Sequence, residues 1–217
     1  MYLSQLWRYP VKSMAGERLG AANLLKDGIA GDRVVRVQSA RDRVITSRTR
    51  PRLLGHHAAL GHGGEPLVDG RPWSSPEVAR DVEVAAGEGA RLVRSDGAER
   101  FDILPLLIAT DGAIAAFGYD GRRLRPNIVI GGVTGLAERE WEGRALRIGD
   151  AIIGIQNLRQ RCIMTTFEPD TLAQDVGVLK KIQREFGGSL ALNCYVIRPG
   201  ALHIGDPVEL FDHAEAA

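Results

Sequence analysis

Short apolar runs cut by Gly, Pro and Asp recur along this chain, and they predict strands joined by turns. "YLSQLWRYP" reads as a first strand closed by Pro10, and "RVVRVQSARDRVITSR" as a hairpin with "SARD" at its turn. "HHAALGHGGEPLVDGRPW" continues in the same manner, with turns at Gly63, Gly64 and Gly70. Around residues 85 to 97, "VAAGEGARLVRSDG" shifts to small and polar residues and marks a domain boundary or crossover. The alanines of "PLLIATDGAIAAFG" predict a short helix broken at Gly118, after which "RPNIVIGG" and "ALRIGDAIIGIQNL" return to strands. A longer helix is predicted over 171–187, where Leu172, Val176, Leu179, Ile182 and Phe186 recur every three or four positions before a Gly-Gly stop. "LNCYVIRPGALHIGDPVEL" reads as a hairpin turning at Pro199-Gly200, and Ile-Gly-Asp, at 148–150 and again at 204–206, belongs to the turn grammar of a small β-barrel. The fold class is therefore mainly β with a few helices.

Composition narrows the partners. With 217 residues, 44% of them hydrophobic, the chain can build a sizeable core in one large or two small domains. Lys and Arg number 28 against 27 acids, a net charge of +1, so no overall basic field calls for nucleic acid and any anion site is a local cluster. No apolar run reaches the length of a membrane span, and "MYLSQLWRYPVKS" lacks the features of a signal peptide. A cytoplasmic protein without a membrane span is the expectation. Cys162 and Cys194 are too few for a disulfide scaffold and are expected as free thiols.

Several cofactor motifs are missing. "VIGGVTGLAE" has Val133 where the second glycine of a dinucleotide loop must admit pyrophosphate, so no nicotinamide site is read there. Two cysteines cannot hold an iron–sulfur cluster, and no lysine sits in a context that suits a pyridoxal phosphate Schiff base. Electrons for any redox step are therefore expected from another protein. The histidines of "GHHAALGH" read as loop residues, since no Cys, Asp or Glu beside them completes a zinc set.

Two readings stand open for Cys162 in "NLRQRCIMTT". It is a packed strand cysteine, as free cysteines commonly are, or a reactive thiolate favoured by Arg159 and Arg161. A fall in its pKa from about 8.5 to about 7 raises the thiolate fraction at neutral pH from a few per cent to about half. In a regular strand Arg161 and Cys162 face opposite ways, so both reach one site only where the strand ends or bulges. Cys194, between apolar strand residues, reads as packing. Near other turns stand Lys12 and Ser13, Arg33, Arg48, and Arg125 with Asn127. Each alone is an ordinary surface residue, but Pro10 and Pro126 stiffen two of these segments, Pro126 by restricting Arg125 to an extended backbone. Arginine forks suit phosphate, and Asn or Ser reads the edge of a heterocycle.

"YPVKSMAG", "GIAGDR", "ITSRTRPRL", "RLRPNIVI", "RCIMTTFEPDT" and "GALHIGDPVEL" resemble, in order and spacing, MOSC-domain proteins that carry the associated N-terminal β-barrel domain. These include the amidoxime-reducing components and the C-terminal domain of molybdenum cofactor sulfurase. The resemblance implies a MOSC β-barrel-like domain, residues 93–212, packed against a small strand-rich N-terminal domain, residues 1–92, with molybdenum cofactor (molybdopterin with Mo) between them. It implies that Cys162 ligates molybdenum and is the catalytic residue, and that Lys12, Ser13, Arg33, Arg48, Arg125, Asn127 and Arg161 bind the cofactor. Met14 stands where the family often has Cys, Ala113 where a hydroxyl could contact the cofactor, and "EREW" replaces E-D-x-W. Some bacterial relatives carry a further ferredoxin-like domain after the segment "HIGDPVEL". The resemblance implies an oxidoreductase that reduces small N-hydroxylated compounds, such as hydroxylated bases or amidoximes, with electrons from an external donor protein. The alternatives are a sulfur carrier working through a Cys162 persulfide and a cofactor-binding protein without turnover.

Overall fold

The computed structural model describes residues 1–95 and 97–212. Its largest unit is an eight-stranded sheet in the spatial order Val208–Asp212, Arg144–Ile148, Ala151–Gln160, Ser189–Arg198, Leu106–Thr110, Ile128–Gly131, Tyr2–Arg8, Glu17–Leu19. A bridge between Tyr2 and Pro207 brings the first strand of that order back to the Tyr2–Arg8 strand, curling the sheet around an apolar interior. Leu3, Leu6, Ile108, Ile130, Leu146 and Ile153 are fully buried inside it. Among the described strands only Leu106–Thr110 and Ile128–Gly131 pair in parallel, and the chain crosses between them through a short helix.

An earlier helix, α1 (Pro76–Ala86), buries Val78, Val82, Ala85 and Ala86 in a second core with Val11, Met14 and Val35. Ser75 caps it by accepting from the Val78 amide, and Pro76 occupies the first turn, where no amide donor is needed. The crossover helix is α2 (Asp111–Phe117), capped by Thr110 and ended by Gly118 in the left-handed region at φ 73°. It packs against α3 (Val176–Phe186) in a third core that contains Phe117, Leu124, Ile182 and Phe186.

Most predicted strands and the α2 helix stand where the pattern placed them. Val35–Gln38 and Val44–Ile45 form the expected hairpin, with Gln38 opposite Val44. Three details differ. The predicted 171–187 helix begins only after Asp175, because Glu168 accepts from the Asp170 and Thr171 amides and Leu172 sits at φ 59°. Its buried face is Val178, Ile182 and Phe186, while Val176 is 52% exposed. Pro199-Gly200 does not turn a hairpin: Gly200–His203 leaves the large sheet and pairs with Ala21–Leu25. Finally, α1 was absent from the predicted elements.

The strand Tyr2–Arg8 pairs on one side with Ile128–Gly131 and on the other with Glu17–Leu19. Two N-terminal strands thus complete the sheet built by the later half of the chain. The turns that follow Tyr2–Arg8 lie along the seam between the two halves. Among the described residues, no helix is long and apolar enough to cross a membrane.

Candidate functional site

Along that seam runs a cleft lined by Lys12, Ser13, Arg33, Arg48, Arg125, Asn127, Arg161 and Cys162 together. All eight residues singled out in the sequence therefore face one space, although they come from five separate segments. Arg123, Arg159 and Asp102 also line it, which makes seven basic side chains against one carboxylate.

The strand ends where the two faces must be reconciled. Regular pairing of Ala151–Gln160 stops at Gln160 opposite Ser189, after a register shift between Leu158 and Gln160. The Arg161 amide still donates to Gly188 O at 2.9 Å, and Cys162 then caps the short 3-10 helix Ile163–Thr166. The Thr165 hydroxyl donates to Cys162 O at 2.9 Å, and the Thr166 hydroxyl to Ile163 O at 2.7 Å, fixing that turn. Leaving the strand lets the partly buried Cys162 and Arg161 line the same cleft. Cys194 is fully buried in the barrel core, where burial pushes its thiol up and makes it inert packing.

Backbone strain concentrates here. Ser13, Arg33 and Arg125 have φ of 74°, 54° and 55°, a region non-glycine residues rarely occupy. Arg125 is therefore left-handed rather than extended as Pro126 suggested. It terminates the 3-10 helix Gly121–Leu124, donating its amide to Arg122 O at 3.0 Å. Its guanidinium lies 4.3 Å from the centre of the Tyr9 ring, with that of Arg33 at 5.1 Å. Burial, the main cause, pushes both Arg125 and Arg161 down to about 10. Arg161 donates to Leu124 O at 2.7 Å, but its Nε has no partner, and the buried Nε of Arg123 has none either. Among the described residues neither Arg125 nor Arg161 has a carboxylate at salt-bridge distance. Two partly buried cations thus stand without a paired anion from the chain.

The outer cations differ. Asp102 Oδ1 holds Lys12 Nζ at 2.9 Å, and its Oδ2 holds Arg48 at 2.5 Å and Arg159 at 3.4 Å. Although burial opposes ionisation of Asp102, Lys12 and then Arg48 and Arg159 keep its carboxyl below the usual range. Burial likewise works against the charge on Arg48, but Asp102 and the Cys162 side chain together hold it above its ordinary value. Arg33 pairs with the buried Asp32, whose other oxygen accepts from the Tyr9 amide at 2.7 Å. Asn127 ties strands together. Its Oδ1 accepts from the Leu107 amide at 3.2 Å and from Arg33 at 3.5 Å, and its Nδ2 donates to Trp7 O at 3.4 Å.

The sequence offered no signal for Asp102, which lies in an irregular stretch near the predicted boundary. Arg123 was hidden in a run of arginines. Of the departures noted above, Met14 and Ala113 are fully buried in the second and third cores, away from the cleft lining. Arg139 of "EREW" donates to Ser189 O and Phe186 O at 3.2 Å each, a structural task. His56 pairs with Asp69 at 2.8 Å.

The MOSC N-terminal beta barrel domain matches residues 1–72, and the MOSC domain matches residues 112–209. This chain is a MOSC-domain protein. The human protein mitochondrial amidoxime-reducing component 1 is 25% identical to it, across 96% of this chain and 82% of that protein. Among solved structures, the YUAD protein of Bacillus subtilis is 16% identical, covering 98% of this chain and 96% of its own, with a TM-score of 0.49. YiiM of Escherichia coli is 12% identical over 98% of this chain and 71% of its own, with a TM-score of 0.46. Within this MOSC-domain protein the cleft draws Lys12, Ser13, Arg33 and Arg48 from the first matched segment and Arg125, Arg161 and Cys162 from the second.

Proposed function

We propose that this protein binds molybdenum cofactor in the cleft, with Cys162 as the metal ligand, and reduces N-hydroxylated compounds with electrons from a separate carrier protein. The observation that carries the reading is a half-buried thiol opening on a cleft whose inner cations, Arg125 and Arg161, lack carboxylates. A phosphate-bearing group fits such cations. Among the described residues no group of three His, Cys, Asp or Glu can hold a metal. A metal at Cys162 therefore takes its other donors from an organic group, which suits a cofactor that carries its own sulfur ligands.

When bound, the cofactor supplies a redox metal able to accept an oxygen atom. The chain's contribution is placement and charge. Arg125 and Arg161 hold the phosphate end, Lys12, Arg33 and Arg48 balance charge, Ser13 and Asn127 line the heterocycle, and the 3-10 turn fixes the sulfur. Overall, two electrons from the donor and two protons cleave the N–O bond of an amidoxime, releasing water and leaving the amidine.

Molybdenum and pterin analysis after expression in a cofactor-competent host tests this. About one molybdenum per chain, lost in Cys162→Ser, with viologen-driven reduction of benzamidoxime by the wild type, supports it. Metal-free protein carrying sulfane sulfur on Cys162 would replace it with sulfur transfer.

A further inference from the structure

We propose that Arg48 and Arg159, at the mouth of the cleft, form an anion subsite for the substrate, and that Asp102 holds the position a substrate carboxylate takes. The inference rests on the reductase reading above and names its substrate class: small N-hydroxylated molecules that carry a carboxylate or similar oxyanion.

Three cations share the single carboxylate Asp102. Its two oxygens are used differently. Oδ1 is committed to Lys12 at 2.9 Å, whereas Oδ2 is divided between Arg48 at 2.5 Å and Arg159 at 3.4 Å. Arg159 is held loosely: besides Asp102, its side chain bonds only Asn193 Oδ1, at 3.3 Å, among the described residues. A guanidinium offers five donors in a fork, so two long contacts leave most of that capacity open. Three cations and one carboxylate leave the mouth with a formal charge of +2. That balance attracts a second anion and repels a cation.

The place is accessible and close to the reacting corner. The Arg48 side chain is 42% exposed and that of Asp102 is 31% exposed, so a rotamer change of Asp102 frees Oδ2's partners. Arg48 and Arg159 line the same cleft as Cys162, which sets the subsite in the space that the sulfur faces. The cations Arg125 and Arg161 contrast with this pair in having no carboxylate at salt-bridge distance among the described residues. An ingoing carboxylate thus finds a bidentate partner at the mouth, and its N–O group is presented towards Cys162.

The test uses the cofactor-loaded protein and a matched pair, benzamidoxime and 4-carboxybenzamidoxime, each reduced by viologen. At low salt the carboxylated compound is expected to show a KM about tenfold lower at similar kcat, with the gap closing as ionic strength rises. Arg159→Gln should remove most of that gap, and Asp102→Asn should widen it severalfold. The Asp102→Asn gain cannot come from misfolding. Calorimetric titration with benzoate gives a readout independent of turnover: Arg159→Gln weakens binding about tenfold, and Asp102→Asn tightens it at least threefold. Equal KM values for the pair, with benzoate affinity indifferent to both substitutions, overturn the subsite. If neither amidoxime is reduced by the wild type, the reductase reading fails, and the benzoate titration alone decides the subsite.

Discussion

The guanidinium of Arg125 rests 4.3 Å from the ring centre of Tyr9, whose hydroxyl donates to Pro126 O at 3.1 Å. The ring supports a cation that burial disfavours. Arg125 is pushed down to about 10, a cost on the order of 2–3 kcal/mol that is fully present below pH 10 and fades as pH rises beyond it. Arg125→Met keeps the ring contact and removes the charge. The ligand-free variant should melt roughly 4–12 °C above the wild type. Added inorganic phosphate should raise the wild-type melting temperature and leave that of the variant unchanged, as differential scanning fluorimetry will show.

Glu138 is fully buried, with Thr110 Oγ1 at 3.2 Å from Oε2 and no partner on Oε1. Burial raises its pKa, so between the unfolded and folded values the native state keeps a proton that the unfolded chain has lost. Stability therefore falls as pH rises through that window. Glu138→Gln should flatten this part of the profile in urea melts taken from pH 4 upwards.

Ala113 is fully buried among apolar side chains, and its amide donates to Thr110 Oγ1 at 3.0 Å. Ala113→Ser places a hydroxyl in that core and should cost about 1–2 kcal/mol. Molybdenum content per folded chain should not change. A rise in content would show that the position reaches the cofactor.

A Cβ on Gly16 would stand 2.2 Å from Arg8 O and 2.5 Å from Tyr9 Cδ1. The first is backbone within a paired strand and cannot yield. Gly16→Ala should therefore destabilise by more than about 2 kcal/mol, read from chemical denaturation, and displace the Tyr9 ring on which Arg125 rests.

The strands were legible because alternation and turn residues act locally, whereas the convergence of the cations was implied only by the family resemblance that their motifs carry. What stayed hidden depends on contacts distant in sequence. Gly200–His203 follows a turn that looks like a hairpin, yet it pairs with Ala21–Leu25, which no local pattern announces. Periodicity over 171–175 matched a helix, but Glu168 captured the amides that would have begun it. The α1 helix has local signals of its own, since Ser75-Pro76 with Val78, Val82 and Ala85 is an ordinary start signal and apolar stripe. Asp102 shows its role only through three cations drawn from residues 12, 48 and 159.

One edge of the Tyr2–Arg8 strand pairs with the nearby Glu17–Leu19, but the other finds its partner only at Ile128–Gly131, and Met1 O accepts from the Val208 amide near the other end. During synthesis at about 5–20 residues per second, that first strand waits on the order of ten seconds for its neighbour to emerge. Until then that edge is open, and a holding chaperone would shield it. The cleft, whose lining runs from Lys12 to Asn193, takes shape only once both halves of the chain have been made.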